Sequence, residues 1–194
     1  MYIPKKFEIK DQNKIFDFIN RNAFGQLITQ HDGSLNCTHM PFLLSDDHKY
    51  LLGHLAVQNP QYSGVSEQDV LVTLTGEHGY ISPSWYESPG VPTWNYQAVH
   101  INGSCAVFTD GDRIKNVVDA LTDKYESSLE SSWQPEYSSR LLKAIVGIEI
   151  SIDSIQCKYK LSQNRSTGDT ESVINNLQRL GATALSNAMR DELS

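Results

Sequence analysis

Between Lys49 and Arg113 the chain contains no lysine or arginine, a gap that occupies about a third of its 194 residues. An anionic ligand touching residues 50–112 must draw its cations from elsewhere in the chain or from another subunit, or else use histidine and neutral donors. Lys158, Lys160 and Arg165 are one candidate source. All six histidines lie in that gap or shortly before it. Long hydrophobic runs are also missing. No window approaches the roughly 18 consecutive apolar residues of a membrane span, and the opening Met1-Tyr2-Ile3-Pro4-Lys5-Lys6-Phe7 lacks the apolar stretch of a secretory signal. Cysteine is scarce: Cys37, Cys105 and Cys157 are widely spaced and form no CxxC pair. That excludes a disulfide scaffold, fits a reducing compartment and predicts a cytoplasmic protein whose thiols pack as small hydrophobes.

Common catalytic signatures are absent too. There is no GxGxxG, P-loop or GxSxG, which disfavours nucleotide folds and common hydrolases. His39 and His54 have no HxH, HExxH or Cys-His spacing around them, so no metal site is expected. The net charge of −7 opposes a surface that attracts nucleic acid over its whole area. What is present is a composition that can bury a core, 39% hydrophobic with no low-complexity tract. One domain is expected over residues 1–165, followed by a tail over 166–194.

Periodicity predicts the elements. Ile15, Phe18 and Ile19 fall on one helical face over residues 11–22, with Asp11 as N-cap. Strands are expected at 24–30 and 34–44 around the tight turn His31-Asp32-Gly33, then at 50–56, 69–76 and 93–109. Asn59-Pro60 opens a short helix, and Pro83, Pro89, Gly90 and Pro92 predict an ordered loop over residues 77–93. Gly103 reads as a bulge. A one-sided helix over 112–130, with Asp112 near its start, precedes a second helix at 138–144 and strands at 146–152 and 155–161. The tail offers two helical pieces separated by Gly181, lying on its own domain or on a partner. The fold class is α+β, mainly β, with peripheral helices and a helical C-terminal tail.

Four stretches concentrate polar and aromatic side chains: Thr38-His39-Met40-Pro41; Gly53-His54 running to Asn59-Pro60-Gln61; Ser84-Trp85-Tyr86 with Val91 to Tyr96; and Tyr159 to Arg165. His39 and His54 read either as histidines satisfied by a neighbouring strand or as donors to a bound anion. Trp85, Tyr86, Trp94 and Tyr96 are either core or a wall for a planar ligand, whose ring edge Asn95 and Gln97 would pair with. Lys160, Ser162, Gln163, Asn164 and Arg165 are either a solvated strand end or a phosphate cradle. No general base or nucleophile is implied.

In this order and at these separations, the stretches resemble the PaiB family, described as FMN-binding negative transcriptional regulators of protease synthesis and sporulation. The resemblance runs from Met1-Tyr2-Ile3-Pro4 through Phe24-Gly25, Thr38-His39, Gly53-His54, Asn59-Pro60-Gln61, Ser84-Trp85-Tyr86 and Val91 to Val99, ending at Lys160 to Arg165. It covers about five sixths of the chain. Tyr62 stands where the family pattern has Trp, and the tail beyond Arg165 carries no part of it.

The resemblance implies an FMN-binding split β-barrel, a homodimer with the cofactor in a cleft between subunits. It places Thr38, His39, Pro41, His54 and Asn59 near FMN, with Trp94, Asn95 and Tyr96 as its wall. Lys160, Ser162, Gln163 and Arg165 would then receive the phosphate, supplying from either subunit the cations missing between Lys49 and Arg113. Gene regulation follows from the resemblance alone, because no helix-turn-helix, basic arm or zinc finger is visible. The competing reading is an enzyme of the same architecture, a flavin-dependent oxidoreductase or haem-degrading oxygenase whose cofactor carries the chemistry.

Overall fold

The structure is a computed structural model and describes residues 1–130, 133 and 137–193. Ser194, the last residue of the expected tail, lies outside the described residues. A 3-10 turn at Lys5–Phe7 leads into β1 (Glu8–Ile9) and α1 (Gln12–Arg21). The Asp11 carboxylate accepts from the Lys14 amide at 3.2 Å, and Ile15, Phe18 and Ile19 are buried. The hairpin β2 (Phe24–His31) and β3 (Ser34–Pro41) turns at Asp32 and Gly33, whose φ values of 48° and 74° are the paired positive angles of a tight two-residue loop. After it come β4 (Leu43–Leu44), β5 (Tyr50–Ala56), β6 (Gln68–Ile81), β7 (Thr93–Phe108) and α2 (Gly111–Glu126). The chain finishes with α3 (Ser139–Leu142), β8 (Ile145–Lys160), α4 (Thr167–Arg179) and α5 (Thr183–Asp191).

The strands hydrogen-bond in the order β3-β2-β6-β7-β8-β5-β4, with β1 added to β8. Two compact units are distinguished: a smaller one of Met1–Ile15, Thr75–Val99 and Gln156–Ser194, and a larger one of Phe16–Leu74 and His100–Ile155. In the larger unit Leu27, Leu51, Val72, Leu74, Ile148 and Ile150 are buried on the strands, as are Ile114, Val117 and Leu121 on α2. Each such side chain contributes about 1.5–3 kcal/mol. In the smaller unit Val173, Ile174 and Leu177 of α4 and Leu185 and Met189 of α5 are buried. Gly181, at φ +80°, makes the break between these helices. Leu185 packs where Gly79 of β6 has no Cβ, and Lys14 forms an ion pair with Glu192.

Several local expectations shift. The N-cap of α2 is Asp110, whose carboxylate accepts from the Arg113 amide at 2.8 Å, and Asp112 sits in the first turn. The strand expected at 34–44 ends at Pro41, and Leu43–Leu44 form a separate short strand. β6 runs on to Ile81, so the expected 77–93 loop shortens and includes a 3-10 turn at Pro83–Trp85. The two strands expected after residue 145 are one. Gly103 is a point of close approach within unbroken β7 rather than an interruption: a Cβ there would lie 2.1 Å from the Ser151 carbonyl oxygen. Cys105 and Cys157 are buried, but Cys37 is exposed on β3. Burial pushes both enclosed thiols up to about 12.

Candidate functional site

In the larger unit a buried amide organises one group of expected residues. Asn59 precedes the 3-10 turn Pro60–Gly64, accepts from the Gln61 amide at 3.0 Å and donates from Nδ2 to Thr38 Oγ1 at 2.9 Å. The Thr38 hydroxyl donates in turn to Gln61 Oε1 at 2.5 Å. Gln61, only 5% exposed, donates to the Leu27 carbonyl at 3.1 Å and to Thr29 Oγ1 at 3.0 Å. Thr38 and Asn59 are thus bonded to each other and to Gln61, a residue of the Asn59-Pro60-Gln61 motif that lies outside the expected site set.

His39, the next residue on β3, is exposed, with its ring 6.4 Å from that of Phe24. Pro41 lies beside Gly53, where a Cβ would come 3.2 Å from the Pro41 carbonyl oxygen. His54 is half-buried, and its Nδ1 is enclosed with no hydrogen-bond partner among the described residues. Burial lowers its pKa. A cavity of about 520 Å³, with Val57, Tyr62, Ile114, Leu142 and Val146 among its walls, adjoins the same turn. Its size suits a small ligand. Val57 falls within the stretch from Gly53 to Gln61, and Tyr62 directly follows it.

The His54 ring makes a pH dependence predictable. Its folded-state pKa lies below the unfolded value of about 6.5, so the unfolded chain takes up the proton first. Stability should hold above about pH 6.5 and fall as pH drops through the window beneath it. Denaturation midpoints between pH 8 and 5 should fall with acid, and His54→Gln should flatten part of that slope. The half-buried His100, also lowered by burial, accounts for a further part. An identical slope in wild type and variant would mean that the ring is not desolvated.

The second group of expected residues belongs to the smaller unit. The Lys160 ammonium donates to Thr93 Oγ1 and to the Trp94 carbonyl, each at 2.6 Å. Its pKa is lowered by burial and by the charges of Lys158 and Arg165. The Arg165 guanidinium lies 4.1 Å from the centre of the Tyr86 ring and donates to the Pro89 carbonyl at 3.2 Å. Trp94 is 55% exposed and Tyr96 half-buried, whereas Asn95 between them is 1% exposed on the other face of the strand.

Asn95 Nδ2 donates to Ser162 Oγ at 2.9 Å and contacts Met189 Sδ at 3.4 Å, while its Oδ1 is buried without a partner among the described residues. Ser162 has φ +74°, a left-handed turn residue. Gln163 closes that turn, accepting from the Leu161 amide and donating to the Tyr159 carbonyl, both at 2.7 Å. Asp169 ties α4 to the loop between β6 and β7, accepting from the Glu87 and Ser88 amides and from the Ser88 hydroxyl. Those bonds hold its carboxyl below the usual range. Asn95, Ser162 and Gln163 therefore spend their amides and hydroxyl on the turn, leaving Lys160 and Arg165 as its charged groups.

Charge is segregated along the same division. The smaller unit contains nine Lys and Arg against eight Asp and Glu, and the larger seven against fifteen. Among the described residues Lys158, Lys160 and Arg165 make no ion pair. A set of cations in no ion pair, beside the exposed Trp94 ring and the half-buried Tyr96 ring, fits a planar ligand bearing phosphate. The enclosed, unpartnered His54 Nδ1 adds a hydrogen-bonding atom that a polar ligand can use.

The fold is that of flavin-binding split-barrel proteins. It is shared with the flavocytochrome Anf3 of Azotobacter vinelandii, at a TM-score of 0.66 and 14% identity over 81% of this chain and 72% of that one. It is shared equally with a FAD and heme binding protein of Mycobacterium smegmatis, at a TM-score of 0.66 and 15% identity over 85% and 78%. Residues 1–154 match the family model described as "Putative FMN-binding domain". The chain is 39% identical to the protease synthase and sporulation protein PAI 2 of Bacillus subtilis, over 100% of this chain and 98% of that protein. The chain therefore belongs to the PaiB-type family of FMN-binding-domain proteins. Among the described residues no helix is long and apolar enough to cross a membrane.

Proposed function

We propose that this chain binds FMN as a cytoplasmic homodimer and acts as a negative transcriptional regulator of the PaiB type. The observation that carries the cofactor reading is the set of cations that form no ion pair among the described residues, in a chain of net charge −7. Lys160 and Arg165 receive the FMN phosphate, and Trp94 and Tyr96 offer ring surface to the flavin. Thr38, His39, Pro41, His54 and Asn59 supply neutral contacts, in a cleft shared between two copies of the chain. Ser162, Gln163 and Asn95 shape the turn that presents the cations. The family match supports FMN over other flavins, and the regulatory role rests on the resemblance to the PaiB family alone.

Purified protein should absorb near ~450 nm or gain thermal stability in excess FMN, because a ligand that binds only the native state must raise apparent stability. Sizing should give a dimer. Lys160→Ala or Arg165→Ala should weaken FMN by about tenfold or more, the worth of one charge-assisted hydrogen bond, and leave riboflavin nearly unchanged. Equal losses for both ligands would remove the phosphate assignment. A colourless protein that FMN does not stabilise would end the cofactor reading, and turnover of NAD(P)H or haem would replace the regulator with an enzyme.

A further inference from the structure

Lys158 lies two residues before Lys160 on β8 and is 7% exposed. A lysine that deep is ordinarily paired with a carboxylate. Here the ammonium donates to one acceptor among the described residues, the Tyr2 carbonyl at 3.1 Å. It is also flanked by the rings of Tyr2 and Tyr96, at 5.8 and 5.1 Å from their centres. Aromatic faces attract a cation but do not cancel its charge.

Two carboxylates close at hand are committed elsewhere. Glu8 is the register partner of Lys158 across the β1–β8 pair, yet its carboxylate bonds to Lys10 at 3.3 Å. Asp169, close enough to Arg165 to feel its charge, spends its oxygens on the 87–88 loop. Among the described residues Lys158, Lys160 and Arg165 form no ion pair, Asp169 acts on Arg165 only at longer range, and the Lys160 ammonium is destabilised by both cationic neighbours. Such an arrangement costs folding free energy unless an anion relieves it. The N-terminal segment holds it in place: the Met1 ammonium donates to Gln156 Oε1 at 2.6 Å and Phe7 is buried.

We infer that Lys158 is a third ligand of the phosphate site, held ready between the rings of Tyr2 and Tyr96, and that Lys158, Lys160 and Arg165 together select ligands ending in a doubly charged phosphoryl group. The inference rests on the FMN reading only for the identity of the group that bears the phosphate. A phosphomonoester dianion matches the cluster best because it brings two charges and several acceptor oxygens, enough to engage two or three cations at once. Riboflavin, with the same ring and no phosphate, leaves the repulsion in place.

The test titrates wild type, Lys158→Met and Lys158→Arg with FMN, riboflavin and inorganic phosphate, following Trp fluorescence and the lysine Nζ resonances. Lys158→Met keeps the length of the side chain between the rings and removes its charge. It should bind FMN and inorganic phosphate about tenfold more weakly and riboflavin as wild type does, whereas Lys158→Arg should retain most of the affinity. FMN and phosphate binding unaltered by Lys158→Met would overturn the inference and leave the FMN reading standing. Phosphate binding by wild type without FMN binding, weakened in Lys158→Met, would do the reverse. Should Lys158→Met fail to fold, the wild-type Lys158 resonance decides: a shift on adding phosphate supports the site, and no shift overturns it.

Discussion

Gln61→Leu should destabilise the protein by about 3 kcal/mol, because it strips hydrogen bonds from several groups within the larger unit. The Leu27 carbonyl and the Thr29 hydroxyl each lose a donor, and the Thr38 hydroxyl loses its acceptor. Leucine is close in size, so the cost comes from unpaired polar atoms rather than from a cavity. For a chain of this length the corresponding fall in thermal midpoint is about 6–12 °C. A double-mutant cycle separates this account from a simple packing effect. Thr38→Val alone should destabilise, but in the Gln61→Leu background it should cost much less, since the bond it removes is already gone. A loss under about 1 kcal/mol for Gln61→Leu, or full additivity with Thr38→Val, would mean that water satisfies these groups instead. The variant should also weaken FMN, because Thr38 owes its orientation to this amide and in turn accepts from Asn59. In a merely structural role for the turn, binding would stay intact at temperatures where the variant remains folded.

The helices were legible wherever one face repeats. Ile114, Val117 and Leu121 mark α2, and Val173, Ile174 and Leu177 mark α4, because each run is buried on a single side. The hairpin at Asp32-Gly33 was equally legible, since few residue pairs tolerate two successive positive φ angles. β8 was split in two for a physical reason. Its middle residues Ser151, Asp153 and Ser154 are exposed, so the alternation that marks a half-buried strand lapses where the strand passes from one compact unit to the other.

The site was legible as a set of residue types but not as roles. Asn95 read as a ring-edge donor beside Trp94, yet strand alternation turns it to the opposite face, onto Ser162 and Met189. Period-two alternation was available in the sequence, but nothing local says which phase is buried. Lys158 was legible as a candidate cation beside Lys160 and Arg165, but its burial was not. That depends on Tyr2, 156 positions away.

Gly103→Ala and Gly111→Ala are the same chemical change with opposite expected signs. An alanine Cβ at 103 would fall 2.1 Å from the Ser151 carbonyl oxygen and 2.9 Å from Ile150 Cγ2. The first of these atoms is backbone within β8, so it can yield only if β7 and β8 move apart there. Overpacking of that kind costs about 3 kcal/mol, the upper end of its usual range. Around Gly111 there is open space, and its backbone is already helical at the first position of α2. Alanine there removes conformational freedom from the unfolded chain and should stabilise by about 0.4–1 kcal/mol. Denaturant midpoints of the two variants, read against wild type, should therefore lie on opposite sides of it. Comparable midpoints would mean that β7 relaxes locally at 103, as an ordinary bulge would, and that the close approach to Ser151 does not constrain the sheet. A large loss at 103 would mark Ser151, which pairs with Tyr50 of β5, as a point where displacement of β7 reaches the strand bearing His54.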